Sequence, residues 1–545
     1  MLSRSLGHRA PLLWLVLPYM TGLGVARVFE FLPVAGLLTT AAVASGLALR
    51  GAWRTGRGWA PTLCLAMVFA GMTSYALHRP RLAAWDQLPP REVQVALRIN
   101  RVFEQSDARR RSGLATIVTA APHLHELVGQ RIYFSLSLPA NGPEPMRSAV
   151  LSALGVLAPL PRAVAADSFD AYLANAGVNF RLTRGRFLVV EQAPNAYQQF
   201  CARMAARFAA ILGTGVAAKQ PGLVGVLRAM LLGQQQELSP EQELRFRESG
   251  TMHVFSISGL HIGVIAAGLQ ALLTLLRLPG LARFLIGLGT LWLYVGITGS
   301  EPSAVRAFIM VALLLSAFVL RVPGNPLAAL TASALLVLLV APLQFFSASF
   351  QMSYGIVAAL LLIGLPLAER WQAAWPVFAL LPKPAWRWHH RIRDWLWRWT
   401  LMAVAIGVAA SLVSTVTGVL FFQLFTPGAL LANLLLIPAS TFVILAGFGS
   451  LLCGLVGFTT GTLLANHAAV LALWLIEHGI RGFTQLPGMW FTATFKAPWM
   501  GALTLAALLV VLLMGYARGW RGWRWFYWPP FAVVALGLLL GATFG

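Results

Sequence analysis

Residues 252–265 read MHVFSISGLHIGVI, an apolar run broken by two histidines, two serines and two glycines. A helix in hydrocarbon satisfies its own backbone but not its polar side chains, and each unsatisfied donor or acceptor there is costly. Ser256, Ser258, His253 and His261 are therefore expected to face protein or a water-filled path. An unbroken helix would hold His253 and His261 about 12 Å apart, too far for one metal ion unless the chain unwinds at Gly259. Two readings stay open: histidines hydrogen-bonded inside a bundle, or unwound backbone around Ser258, Gly259 and Gly263. Ser258 and His261, at helical i, i+3 spacing, are also the one hint of a nucleophile with a base.

The surrounding composition sets the environment. Of 545 residues, 58% are hydrophobic and 11% charged, with a mean hydropathy of +0.71. Apolar runs of about 20 residues, enough to cross roughly 30 Å of hydrocarbon, recur about thirteen times. The expected fold is a polytopic α-helical membrane protein with an inserted small β-barrel. A net charge of +23 does not by itself indicate nucleic acid, because Lys and Arg collect in cytoplasmic loops of membrane proteins. Cys64, Cys201 and Cys453 form no CxxC pair, so neither a thiolate metal site nor a disulfide framework is expected. No cofactor, metal or enzymatic activity is anticipated.

Residues 1–77 read as N-terminal transmembrane helices. The stretch from Pro11 to Ala26, behind Arg4 and Arg9, resembles a signal peptide but is read as retained. Arg50, Arg54 and Arg57 belong on the cytoplasmic side, which sends the span from Trp59 to Leu77 outward and makes 78–195 an external domain. Its segments VQVALRI (93–99) and RIYFSLSL (131–138) alternate as strands do, and SFDAYLANAGV (168–178) reads as one short helix. Together they suit a small barrel such as the oligonucleotide-binding (OB) fold. This segment holds 14 Lys or Arg against 9 Asp or Glu. That excess, with the run Arg109, Arg110 and Arg111, suits a phosphate backbone or simply a basic soluble face. No aromatic stacking row is evident. Residues 196–250 read as amphipathic, interfacial helices, and 251–545 as the main transmembrane domain. The basic connections 369–399 and 518–524 both fall on the cytoplasmic side by the same parity.

Three further motifs interrupt apolar spans. In TGSEPSAVRAF (298–308), Pro302 suits a first helical turn and Glu301 lies beside the positive helix end. Arg306 has three options there: to snorkel, to pair with Glu301, or to offer its guanidinium to a phosphate. FQMSYGIVAAL (350–360) places Gln351 and Ser353 at a span start, and LLANLLLIPAS (430–440) places Asn433 ahead of Pro438, which should kink its helix. Each alone is adequate interhelical glue, worth about 1 kcal/mol. Four such interruptions in separate spans favour a shared internal path.

Taken in order, RAMLLGQQQELSPEQELRFRESGTMHVFSISGLHIGVI (228–265), PSAVRAF, FQMSY and LLANLLLIP resemble the ComEC family of bacterial competence proteins, and FDAYLANAGV resembles the end of that family's OB-like domain. The resemblance runs over essentially the whole sequence. It implies passage of single-stranded DNA across the bacterial inner (cytoplasmic) membrane during natural transformation. Ser256, Ser258, His261, Arg306, Gln351, Ser353 and Asn433 fall at matching motif positions and, with His253, Gly259 and Gly263, become candidates for lining or gating the path. Implied partners are single-stranded DNA, membrane lipid, other competence proteins and a separate nuclease, with a homodimer left open. Many members continue into a metallo-β-lactamase-like domain with an HxHxDH motif, which this sequence does not contain; HLHE (123–126) and HHRIRD (389–394) have the wrong spacing. GQQQELS (233–239) also departs from the charged pair common in the family. Rival readings are a secondary transporter of a small solute and an intramembrane hydrolase.

Overall fold

Long apolar helices fill most of the chain, because side chains that water would reject are distributed all round them. The computed structural model describes residues 10–29, 33–53, 59–79, 85, 88–103, 110–139, 144–161, 168–379, 381–520 and 527–544. In order the helices are α1 Leu13–Val28, α2 Val34–Trp53, α3 Trp59–His78, α4 Phe169–Asn175, α5 Ala196–Gly213, α6 Pro221–Leu232, α7 Pro240–Glu248, α8 Gly259–Leu275, α9 Gly280–Ile297, α10 Pro302–Val319, α11 Pro326–Val340, α12 Ala348–Ala374, α13 Trp388–Phe422, α14 Ala429–Leu455, α15 Thr459–Thr484, α16 Pro498–Ala517 and α17 Trp528–Gly541. Among the described residues nine of these, α2, α3, α9, α10 and α12 to α16, are long and apolar enough to cross a membrane. The expected count of about thirteen spans is reached only if the shorter apolar helices α1, α8, α11 and α17 cross as well. Leu275, Val340, Leu435 and Leu464 stand largely exposed on helix surfaces, an arrangement suited to lipid.

The helices pack around two apolar cores. One gathers α5, α6, α8, α9, α14 and α15; the other gathers α1, α3, α11, α12, α13, α16 and α17. Helix α10 belongs to both: Ala304 and Ala307 enter the first, while Ile309 and Met310 lean on the second. It therefore forms the seam. Within the second core, α1 and α3 approach backbone to backbone: a Cβ on Gly22 would meet the Val68 carbonyl oxygen at 2.0 Å, and one on Gly71 would meet that of Tyr19 at 2.3 Å. Only glycine permits that contact.

Proline shapes α12. Pro366 offers no N–H to the Leu362 carbonyl and crowds it, and the helix widens to a π turn over Leu360–Gly364. The Trp520 indole N–H takes up the freed Leu362 carbonyl at 2.7 Å. Pro438, by contrast, does not interrupt α14.

Two expectations change. The span expected from residue 252 becomes helical only at Gly259, since Met252–Val254 is a single 3-10 turn and 255–258 are non-helical. Of the expected interfacial pair, α5 keeps an amphipathic face, with Gln199, Arg203 and Arg207 exposed over buried Cys201, Phe208 and Leu212. Helix α6 instead sinks into the first core, where the Tyr294 hydroxyl donates to the Leu231 carbonyl at 2.6 Å.

The strands between Arg91 and Gln192 close into a barrel of order β1-β2-β3-β5-β4, with β1 Arg91–Phe103, β2 Arg110–Ala120, β3 Arg131–Ser137, β4 Val150–Pro159 and β5 Phe180–Gln192. Only β3 and β5 pair in parallel. Alternate residues point inward, as the pleat dictates: Val93, Val95, Leu97 and Ile99 from β1 meet Ile132, Phe134 and Leu136 from β3. Ser168 caps α4 by accepting from the Ala171 N–H at 3.1 Å. Polar joints seat the barrel on the bundle. Asn175 donates to the Phe346 carbonyl at 3.2 Å and accepts from Arg27 at 3.2 Å, and Arg101 pairs with Glu301 at 2.7 Å. A second, small sheet of β6 Leu424–Phe425, β7 Phe491–Phe495 and β8 Ala542–Phe544 links the ends of α13, α16 and α17.

Candidate functional site

The non-helical turn ahead of α8 organises the first motif. The Ser258 backbone N–H reaches the His261 Nδ1 at 3.3 Å, and because an N–H can only donate, that ring nitrogen is the acceptor. The Ser258 hydroxyl shares it at 3.0 Å. The neutral ring then carries its proton on Nε2, which is buried and has no partner among the described residues. Ser258 and His261 thus act first to close the start of the helix, and among the described residues no third group orients the imidazole as a nucleophile's base would require. His253 lies exposed, its Nδ1 3.3 Å from the Gly250 carbonyl, and the Ser256 hydroxyl donates to the His253 carbonyl at 3.2 Å. Gly259 and Gly263 sit one helical turn apart within regular helix, and a Cβ added to either would meet nothing within 4 Å. That strip faces open space; Gly263 is not a point of unwinding.

The GQQQELS loop braces this turn from behind. Gly233 ends α6 with φ +78°, Arg228 holds Glu237 at 3.0 Å, and Gln235 donates to the Phe255 carbonyl at 3.1 Å. Ser303, in the first turn of α10, donates to the Ile257 carbonyl at 2.7 Å and ties the second motif to the first.

Arg306 is the largest fully buried side chain among the described residues, 1% exposed. It neither snorkels nor pairs with Glu301, whose carboxylate is taken by Arg101 of the barrel. Its guanidinium donates only to neutral acceptors: Gln344 Oε1 at 3.2 Å, the Ser349 carbonyl at 2.8 Å and the Ser349 hydroxyl at 2.6 Å. Nε has no partner. Gln344 is fixed by the 3-10 turn Pro342–Phe346, the same turn on which the barrel's Asn175 rests. A cation held in this way is costly to desolvate and, among the described residues, is hydrogen-bonded to no carboxylate.

The third motif lies against this nest. Gln351 donates to the Phe345 carbonyl at 3.1 Å and leaves Oε1 buried without a partner, while Ser353 is half-buried. Tyr354 and Ser333 share a hydrogen bond of 2.8 Å. Asn433 stands apart: it makes no hydrogen bond to the other candidates, and its Oδ1 is also buried and unpartnered. The structure therefore joins motifs one to three along α10 and leaves the fourth separate. Sequence reading missed Gln344, Ser349, Ser333 and Tyr354, although polar residues within PLQFFSASFQMSY (342–354) were a usable signal. Two surface cavities, of about 380 and 290 Å³, lie elsewhere, one beside Glu241, Arg245 and Arg481 and one between α2 and α3 beside Thr40 and Leu65.

On the barrel, Arg109 lies outside the described residues. Arg110 is exposed at the start of β2, and Arg111 is engaged by Glu144 at 2.6 Å. The expectation of no aromatic row is overturned. Phe103, Tyr133, Phe169 and Tyr172 form one cluster, in which Phe169 and Tyr172 stack with centroids 5.8 Å apart and Tyr133 meets Phe169 edge-on at 5.3 Å.

Nine described helices long and apolar enough to cross a membrane, packed about a buried guanidinium and joined to a five-stranded barrel, define a multi-pass membrane protein. Residues 230–518, more than half of the chain, match the family model described as Competence protein, and the chain belongs to that family. It is 30% identical to ComE operon protein 3 of Bacillus subtilis over 142 residues, 26% of this chain and 18% of the relative. It is 25% identical to Recombination protein 2 of Haemophilus influenzae over 304 residues, 54% of this chain and 35% of the relative. A third relative, Uncharacterized protein YcaI of Escherichia coli, is 27% identical over 332 residues, 57% of this chain and 38% of the relative. Each match thus spans well under half of the curated relative's length. No solved structure matches.

Proposed function

We propose that this chain passes single-stranded DNA inward across the bacterial inner membrane during natural transformation. The observation that carries the reading is Arg306, a buried guanidinium with neutral neighbours and a free Nε. Intramembrane charges are functional by default, and the ligand that best offsets this one is an anion that arrives and leaves. A nucleic-acid backbone, one charge per nucleotide, is such an anion. Membership of the competence family and the relatives' names fit the same task.

In this reading the N-terminus is cytoplasmic and residues 78–195 form an external OB-like module, a role its five-stranded order supports. Residues 1–77 frame the second core, 196–250 connect and brace, and 251–545 build the path. His253, Ser256, Ser258, Gly259, His261, Gly263, Arg306, Gln351, Ser353 and Asn433 line or gate it, and Arg109, Arg110 and Arg111 meet DNA outside. The described helices are packed together around α10, so passage requires the two cores to part along that seam. Other competence proteins deliver the strand, and a separate nuclease removes its complement.

Deletion of the gene tests this. Labelled DNA should still collect outside the inner membrane of the deletion strain while its entry to the cytoplasm stops. Normal cytoplasmic entry in that strain would reject the proposal.

A further inference from the structure

We propose that the barrel carries a landing platform for single-stranded nucleic acid where it meets the bundle: bases stack on Phe169 and Tyr172, and a backbone phosphate replaces Glu301 on Arg101. The inference rests on the transport reading and adds where the strand first engages the protein. The rings come from β1 (Phe103), β3 (Tyr133) and α4 (Phe169, Tyr172), so barrel closure alone assembles them. Phe169 and Tyr172 are 50% and 39% exposed although they touch one another, which leaves ring surface open to a ligand. Exposed aromatic rings can stack with any base, since every base has a π-face.

The guanidinium completes the site. Arg101 lies 5.6 Å from the Phe103 ring centroid and donates to the Tyr172 hydroxyl at 3.4 Å. Its ion pair with Glu301 is partly exposed on both sides, and half-exposed pairs are weak enough to exchange. Glu301 is thus a resident anion that a phosphate can displace, with the charge complementarity of a barrel rich in arginine behind it. The position has a direction as well. Glu301 immediately precedes α10, and Arg306 follows within about a turn and a half of the same helix, so a strand held at Arg101 is presented to the seam.

The test uses the full chain in nanodiscs and a fluorescein-labelled oligothymidylate, read by anisotropy. The Phe169→Ala, Tyr172→Ala double variant should bind at least about tenfold more weakly, with an unchanged melting temperature. Tyr172→Phe should recover most of what Tyr172→Ala loses. Arg101→Gln should lower the salt slope by about 0.7, the share of one single-strand phosphate, and Glu301→Gln should tighten binding. As an independent readout on the unaltered chain, 5-iodouracil photo-crosslinks should map to Phe169 or Tyr172. Unchanged affinity in the double variant with crosslinks elsewhere would overturn the platform, as would duplex binding as tight as single-strand binding. Variants that keep oligonucleotide affinity but release the barrel from lipid vesicles would assign the rings to the membrane interface instead and also overturn it. If the unaltered chain takes no oligonucleotide, the platform is rejected. The deletion-strain uptake assay still judges transport separately: uptake lost on deletion but normal in the aromatic variants strikes only the platform.

Discussion

Two buried polar side chains in this bundle, Asn466 on α15 and Arg306 on α10, differ in how completely their surroundings answer them. Asn466, 0% exposed, accepts from the Ser450 hydroxyl at 2.6 Å and donates to the Ile211 and Thr214 carbonyls at 2.9 and 3.0 Å. Every hydrogen-bonding group of its amide is used, and the bonds clamp the C-terminal end of α5 to α14 and α15. Arg306 carries a full charge and finds three neutral acceptor atoms for its five N–H donors, Nε–H being one of those left idle. Burial alone therefore does not mark a working residue. The unmet demand does, because a fold that needed only glue at α10 would do better with an apolar side chain.

The largest expected effect follows from that difference. Arg306→Met should reduce cytoplasmic DNA entry by at least about a hundredfold, the loss expected when a buried charge contact worth about 3 kcal/mol disappears. At the same time the melting temperature of the purified protein should hold or rise. Several kcal/mol of guanidinium desolvation are relieved, against about 1 kcal/mol for each neutral acceptor left behind. A melting temperature that collapses with uptake would make Arg306 structural and erase the contrast.

Asn466→Leu should do the reverse. It strands the Ser450 hydroxyl and the Thr214 carbonyl, while the Ile211 carbonyl keeps the Thr214 N–H at 3.1 Å, at a cost of roughly 2–4 kcal/mol, visible as a lower melting temperature and less protein in the membrane. Uptake per surviving molecule should stay near normal; a folded, abundant, inactive Asn466→Leu protein would move this residue to the functional side. Smaller again is Ser258→Ala, which removes the hydroxyl's bond to His261 Nδ1, worth about 1 kcal/mol, and should trim stability slightly. Smallest is Tyr354→Phe, which breaks only the bond to Ser333 and should cost about 0.5–1 kcal/mol by thermal denaturation.

Arg306 was legible in the sequence because a charge inside an apolar run is rare enough to stand out. Its nest was not: Gln344 and Ser349 reach it from the far side of α11, and only tertiary packing shows that they, rather than Glu301, surround the guanidinium. The barrel strands announced themselves by a period of two, as in VQVALRI and RIYFSLSL. The aromatic cluster did not, since Phe103, Tyr133, Phe169 and Tyr172 are scattered along the chain until β1, β3 and α4 converge. Asn466 escaped notice because one amide among the threonine and histidine of α15 looks like ordinary glue. The late start of α8 was hidden for a related reason: hydropathy records apolar length, and VFSI is as apolar unwound as it is in a helix.

The claim that DNA travels along the seam beside α8 and α10 can be read out directly by placing the photo-crosslinker benzoylphenylalanine at Gly263, where the added side chain enters open space, and at surface-exposed Leu435 on α14 as the control. In cells importing labelled DNA, irradiation should attach label to the Gly263 protein and not to the Leu435 protein. Label on both alike, or on neither while import proceeds, would contradict the account.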